Sequence, residues 1–111
     1  LEAAANAIRA CVRDNDVLIR FGGDEFLLIL HGIRDDYLKI VLERVRCAVQ
    51  NAVIPGFPHL HLSMSIGGVA QGDREPLEAA VQRADKLMYQ AKVRKNTVVC
   101  AGTTDQRTLL S

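Results

Sequence analysis

Leu1, Ala4, Ala5, Ile8, Cys11 and Val12 recur at three- and four-residue intervals, the spacing of one apolar helix face, and predict that the chain opens in an amphipathic helix. No Ser, Thr, Asp or Asn precedes it as an N-cap, so Leu1 is expected to lie inside a longer chain. VLIRF at 17–21 and EFLLIL at 25–30 flank Gly22, Gly23 and Asp24, two apolar runs around a glycine turn that predict a β-hairpin. Leu38, Val41, Leu42, Val45, Ala48, Val49 and Ala52 mark a second helix, closed near Pro55 and Gly56. Leu60, Leu62, Met64 and Ile66 alternate with His59, His61, Ser63 and Ser65, which predicts a half-buried strand ending at Gly67 and Gly68. Leu77, Ala80, Val81, Ala84, Leu87, Met88 and Ala91 give the clearest helical stripe, and residues 97–101 a short last strand. The chain beyond Gly102 is polar and expected to be loose.

A hairpin combined with crossover helices predicts an α/β sandwich, helices packed on a mixed or antiparallel sheet. Residues 1–101 are expected to form one domain and 102–111 a flexible tail or linker. The 111 residues suffice for one core, and with 5% aromatics and no Trp that core must be aliphatic. The scarcity of aromatics argues against a base-stacking nucleic-acid binder, and a net charge of +1 supplies no basic field for nucleic acid or anionic lipid. An anionic ligand must therefore be held by local geometry. The longest apolar run, 26–30, is far short of a membrane span, and the N-terminus lacks the order of a signal peptide, so a cytoplasmic segment without direct membrane contact is expected. Cys11, Cys47 and Cys100 show no CxxC spacing and read as reduced, mostly buried thiols. His59 and His61 share a strand face, but two ligands without a third read more simply as exposed histidines.

The chemistry concentrates at residues 22–25. Gly22 and Gly23 are explained by the positive φ angles of a tight turn. That does not account for Asp24 and Glu25, two adjacent carboxylates between apolar strands, where charge must be solvated or paired. Carboxylates on a turn that a ligand can approach closely suit a divalent cation shared with phosphate oxygens. The segment RFGGDEF at 20–26 resembles the signature of the GGDEF, or diguanylate cyclase, family, a pentapeptide expected by chance on the order of once per million windows. Ser65, Ile66 and Gly67 resemble the family's SIG segment, and Ala84 and Asp85, followed by Tyr89, Ala91 and Lys92, its AD..Y.AK helix.

The resemblance implies a fold like the palm of nucleotidyl cyclases and polymerases, a mixed, largely antiparallel sheet flanked by helices, here without its N-terminal strand and helix. It implies an enzyme that condenses two GTP into cyclic di-GMP with release of two pyrophosphates, as a homodimer in which each ribose 3′-hydroxyl attacks the other nucleotide's α-phosphate. By that analogy Asp24 ligates Mg²⁺ or Mn²⁺ and helps deprotonate the hydroxyl, Glu25 supports the metal and orients the site, Gly22 and Gly23 let the nucleotide lie against the turn, and Lys92 contacts phosphates. Without the family, Lys92 reads as a solvated lysine at a helix C-terminus. Arg13 and Asp16, separated from Gly22 by the five residues 17–21, match the family's RxxD motif for inhibition by the product cyclic di-GMP. Arg and carboxylate together satisfy the edge of guanine, although RDND also makes a good local turn without a ligand.

The sequence departs from the family pattern at 91–96, which reads AKVRKN where AK..GRN is usual. Lys95 then stands in for an arginine, without its planar two-point contact. Residues 1–21 contain no metal-binding Asp on a central strand, no FK and no guanine-binding Asn–Asp, so the resemblance implies a portion of a longer domain. Those departures keep open an alternative, a catalytically weak module that senses cyclic di-GMP or GTP and regulates an attached domain. A domain kept only for dimerisation is a third, blander alternative.

Overall fold

The computed structural model describes residues 2–21, 25–52, 56, 64–94, 97–102 and 107–110, with residues 2, 97–100 and 107–110 described by backbone alone. The elements run α1 (Glu2–Arg9), β1 (Val17–Arg20), β2 (Glu25–His31), α2 (Asp35–Gln50), β3 (Ser65–Gln71), α3 (Leu77–Arg94), β4 (Thr97–Ala101) and β5 (Arg107–Leu110). The five strands form one sheet in chain order. Antiparallel pairing holds at the two edges, β1 with β2 and β4 with β5, while β2, β3 and β4 run parallel. The fold is thus the mixed α/β sandwich that the palm-like resemblance implies.

Alternation along β2 explains the layers. Phe26, Leu28 and Leu30 join Ile66 and Ala70 of β3 in a cluster with Ala4 and Ile8 of α1 and with Leu38, Val41, Leu42, Val45 and Val49 of α2. Leu27 and Ile29 face the other way, with Val69, onto Ala80, Ala84, Leu87, Met88 and Ala91 of α3. A strand covered on both faces needs no polar face, which is why residues 26–30 read as one continuous apolar run. Polar residues support the helix ends. Asp35 and Asp36 occupy the first turn of α2, and Lys92 and Arg94 the last turn of α3, each favourable to the helix dipole.

The strand expected to end at Gly67 and Gly68 instead runs through them to Gln71, with both glycines in its middle. A Cβ on Gly67 would lie 2.1 Å from the Ala84 carbonyl oxygen, and one on Gly68 would lie 2.7 Å from Leu42 Cδ1. These glycines admit a helix to each face rather than turning the chain. Ser65, expected on the polar side, is buried. Beyond Gly102, residues 107–110 pair with β4 where the sequence leads one to expect a loose tail; main-chain pairing makes no demand on a polar segment's side chains. Cys11 and Cys47 are free thiols, half-buried rather than buried. His59 and His61 lie outside the described residues, as does the side chain of Cys100.

Candidate active site

The pairing of β1 with β2 brings Glu25 to one end of the sheet. Arg20 pairs with Phe26 across the two strands, and the Phe21 amide donates to the Glu25 carbonyl at 2.9 Å. The Arg20 guanidinium lies 5.8 Å from the centroid of the Phe26 ring, within cation–π range. Glu25 is the first residue of β2 and sits in register with Ser65, the first of β3. Gly22, Gly23 and Asp24 lie outside the described residues, as does Lys95.

Lys92 reaches Glu25 from the opposite layer. Its Nζ is 2.6 Å from Glu25 Oε1, with the glutamate side chain 19% exposed and the lysine 60%. Ala84, Met88 and Ala91 seat α3 on the sheet, and the contact over Gly67 brings the helix backbone down onto β3. The last turn of α3 thereby comes within reach of the hairpin end. Tyr89 and Val93 lie on the outer side of the helix, both largely exposed.

At the far end of β2 stands the Arg13–Asp16 motif. Asp16 accepts from the Arg13 amide at 2.8 Å and from the His31 amide at 3.3 Å, while Arg13 Nη2 donates to the His31 carbonyl. The Asp16 side chain is 3% exposed and that of Arg13 56%, so the carboxylate is fixed and the guanidinium faces solvent. These bonds make the local turn that RDND allows on its own and tie it to β2. Beside it opens a cavity of about 320 Å³ lined by Arg13, Asp16, Cys11, Tyr37, Arg44 and others. Burial pushes the Cys11 thiol above its ordinary pKa, partly offset by the Arg44 charge. Since β2 spans residues 25–31 at ~3.3 Å per residue, Glu25 and the His31 end that holds the RxxD motif stand roughly 20 Å apart.

Sequence reasoning missed Arg83 and Glu75. Arg83 binds both Glu75 carboxylate oxygens, at 2.7 and 2.8 Å, and donates to the carbonyls of Ala70 and Gly102 at 2.9 and 2.8 Å. The guanidinium holds the Glu75 carboxyl below its ordinary pKa. Arg83 falls on a polar position of the α3 stripe, and nothing local to it signals that partner.

Among the described residues no group of three or more His, Cys, Asp and Glu is placed to hold a metal. Oxygen donors are nonetheless the appropriate chemistry for Mg²⁺ or Mn²⁺, and the turn's sequence supplies two carboxylates of that kind, Asp24 and Glu25. No helix among the described residues is long and apolar enough to cross a membrane.

The described residues thus form a two-sided α/β sandwich in which a carboxylate at the hairpin end is met by a helix lysine. The family is specific: residues 1–97 match the family described as diguanylate cyclase, GGDEF domain, and the chain belongs to it. Diguanylate cyclase A of Treponema denticola is 32% identical over 94 residues, covering 83% of this chain and 25% of that protein. Diguanylate cyclase DgcM of Escherichia coli is 31% identical over 90 residues, covering 81% and 22% respectively. Diguanylate cyclase DgcP of Pseudomonas aeruginosa is 35% identical over 96 residues, covering 83% and 14%. The chain spans a quarter or less of the length of these relatives.

Proposed function

We propose that this chain is part of the catalytic module of a diguanylate cyclase, which condenses two GTP into cyclic di-GMP and releases two pyrophosphates. The observation that carries this reading is the Glu25–Lys92 ion pair at the hairpin end, an acidic turn with a cation held beside it. A polyphosphate bound through a divalent ion needs both: carboxylates for the ion and an ammonium for the phosphate oxygens. Asp24 would hold Mg²⁺ or Mn²⁺, which would offset the charge that develops on the phosphate. Gly22 and Gly23 would let the nucleotide lie against the turn, and Lys92, with Lys95 further on in the sequence, would meet its phosphates as a point charge.

Two modules facing each other as a homodimer would present each 3′-hydroxyl to the α-phosphate of the other GTP. The oxygen–phosphorus bond forms as the bond to pyrophosphate breaks, and the hydroxyl proton passes to Asp24. Product inhibition is assigned to Arg13 and Asp16. Incubation of the native full-length protein with GTP and Mg²⁺ is expected to yield cyclic di-GMP by mass spectrometry, and Asp24→Ala to reduce the yield at least a hundredfold. A folded dimer that makes none, or full activity in Asp24→Ala, would refute the reading.

One observation favours a second reading, a cyclic di-GMP or GTP sensor with weak catalysis. The cavity beside Arg13 and Asp16 is available whether or not the acidic turn is active. Calorimetric binding of cyclic di-GMP without turnover of GTP would select it.

A further inference from the structure

Glu25 and Lys92 belong to different layers, and neither needs the other to complete its own element: one opens β2 and the other lies in the last turn of α3. The glutamate is mostly covered and the lysine mostly exposed, so the carboxylate is the fixed member and the ammonium the one turned outward. An ion pair with so exposed a member contributes little to stability, which makes placing the cation the better account of it. An ammonium 2.6 Å away also makes Glu25 a poor principal ligand for a divalent ion, because like charges would share one carboxylate. Gly67 adds a second support. By letting the backbone of α3 rest on β3, it fixes the height of the helix, and so of Lys92, over the hairpin end.

We infer that Glu25 is a positioning residue: its carboxylate holds the Lys92 ammonium in place for a phosphate of the incoming GTP, while the metal requirement rests on Asp24. This assignment rests on the cyclase reading and divides the labour of the two acidic residues within it. Pre-placing a lysine removes part of the ordering that a flexible side chain otherwise undergoes when the nucleotide arrives.

The native full-length protein, with its Glu25→Gln, Lys92→Met and doubly substituted variants, is titrated calorimetrically with GTP at saturating Mg²⁺. Each single change is expected to weaken GTP binding about tenfold, as for one charge-assisted hydrogen bond. The double variant should bind no more weakly than Lys92→Met. The Mg²⁺ concentration that half-saturates GTP binding should be unchanged in Glu25→Gln, a result that a metal ligand would not give. Lys92 acylation, followed by mass spectrometry, reports the pair without nucleotide and should be faster in Glu25→Gln. If Glu25→Gln does not fold, Glu25→Asp replaces it with the same expectations. Additive losses, a shifted Mg²⁺ requirement or an unchanged acylation rate each overturn the assignment. Wild-type GTP affinity in Glu25→Gln overturns the positioning role alone, whereas a wild-type protein that binds no GTP overturns the cyclase reading and this role with it.

Discussion

Gly67 and Gly68 are neighbours in β3 that face opposite helices, and they differ in what an added methyl group would meet. At Gly67 it would strike the Ala84 carbonyl oxygen and, at 2.5 Å, the Met88 nitrogen, backbone atoms that cannot rotate aside. At Gly68 it would meet the branched end of Leu42, a side chain able to shift. Overpacking a core costs about 1–3 kcal/mol, so Gly67→Ala is expected at or above the upper end and Gly68→Ala near the lower, measured as urea midpoints at constant slope. The same residues mark a limit of sequence reading. A glycine pair suggests a turn from local preference, whereas close approach depends on what lies across the sheet, which no short window contains. That Glu25 needs a partner was legible, because a charge between apolar strands must be solvated or paired. Which partner was not legible, since Lys92 reaches Glu25 only after the α2 crossover and the return of the chain in β3 bring α3 against the sheet.

Among the elements, the loop from β3 into α3 is tied to its neighbours through one guanidinium, besides its own bonds to Gln71 and Gly72. Arg83 ties Glu75 in that loop to the C-terminal end of β3 and to Gly102 just after β4. Arg83→Met keeps the aliphatic stem but leaves the Glu75 carboxylate without its cation, with the Gly72 amide still donating to it, and is expected to cost roughly 2–3 kcal/mol in thermal or urea unfolding. The same pair gives a pH dependence of definite sign. Because Glu75 titrates below its ordinary value when folded, its contribution is complete above the unfolded pKa of about 4.3 and is lost as pH falls through the lower folded value. Glu43, lowered by Arg46 on the exposed side of α2, adds in the same direction. Glu75→Gln should therefore flatten the acid limb of a stability-versus-pH curve. The three helices were legible from their apolar stripes, and the hairpin from its glycines. β5 was not, because four residues that include Arg and Thr become a strand only through the β4 edge they pair with.

Across the whole molecule, β2 separates two chemistries, with the acidic turn before its first residue and the Arg13–Asp16 clasp on its last. If the clasp is the inhibitory site, Arg13→Ala should raise the cyclic di-GMP concentration that half-inhibits the enzyme by about tenfold or more, with GTP turnover in the absence of product unchanged. An unchanged inhibition constant would remove that assignment. The motif was readable from sequence, but its internal bonds to His31 were not, because they depend on the return of β2 alongside the end of α1. The burial of β2 on both faces extends beyond packing. Amides at its centre, such as those of Leu28 and Ile29, are expected to exchange with deuterium only when the whole domain opens, whereas α1 should exchange through local fraying. Glu25, the first residue of β2, thus belongs to the segment slowest to open, so the carboxylate that meets Lys92 rests on the most persistent part of the domain.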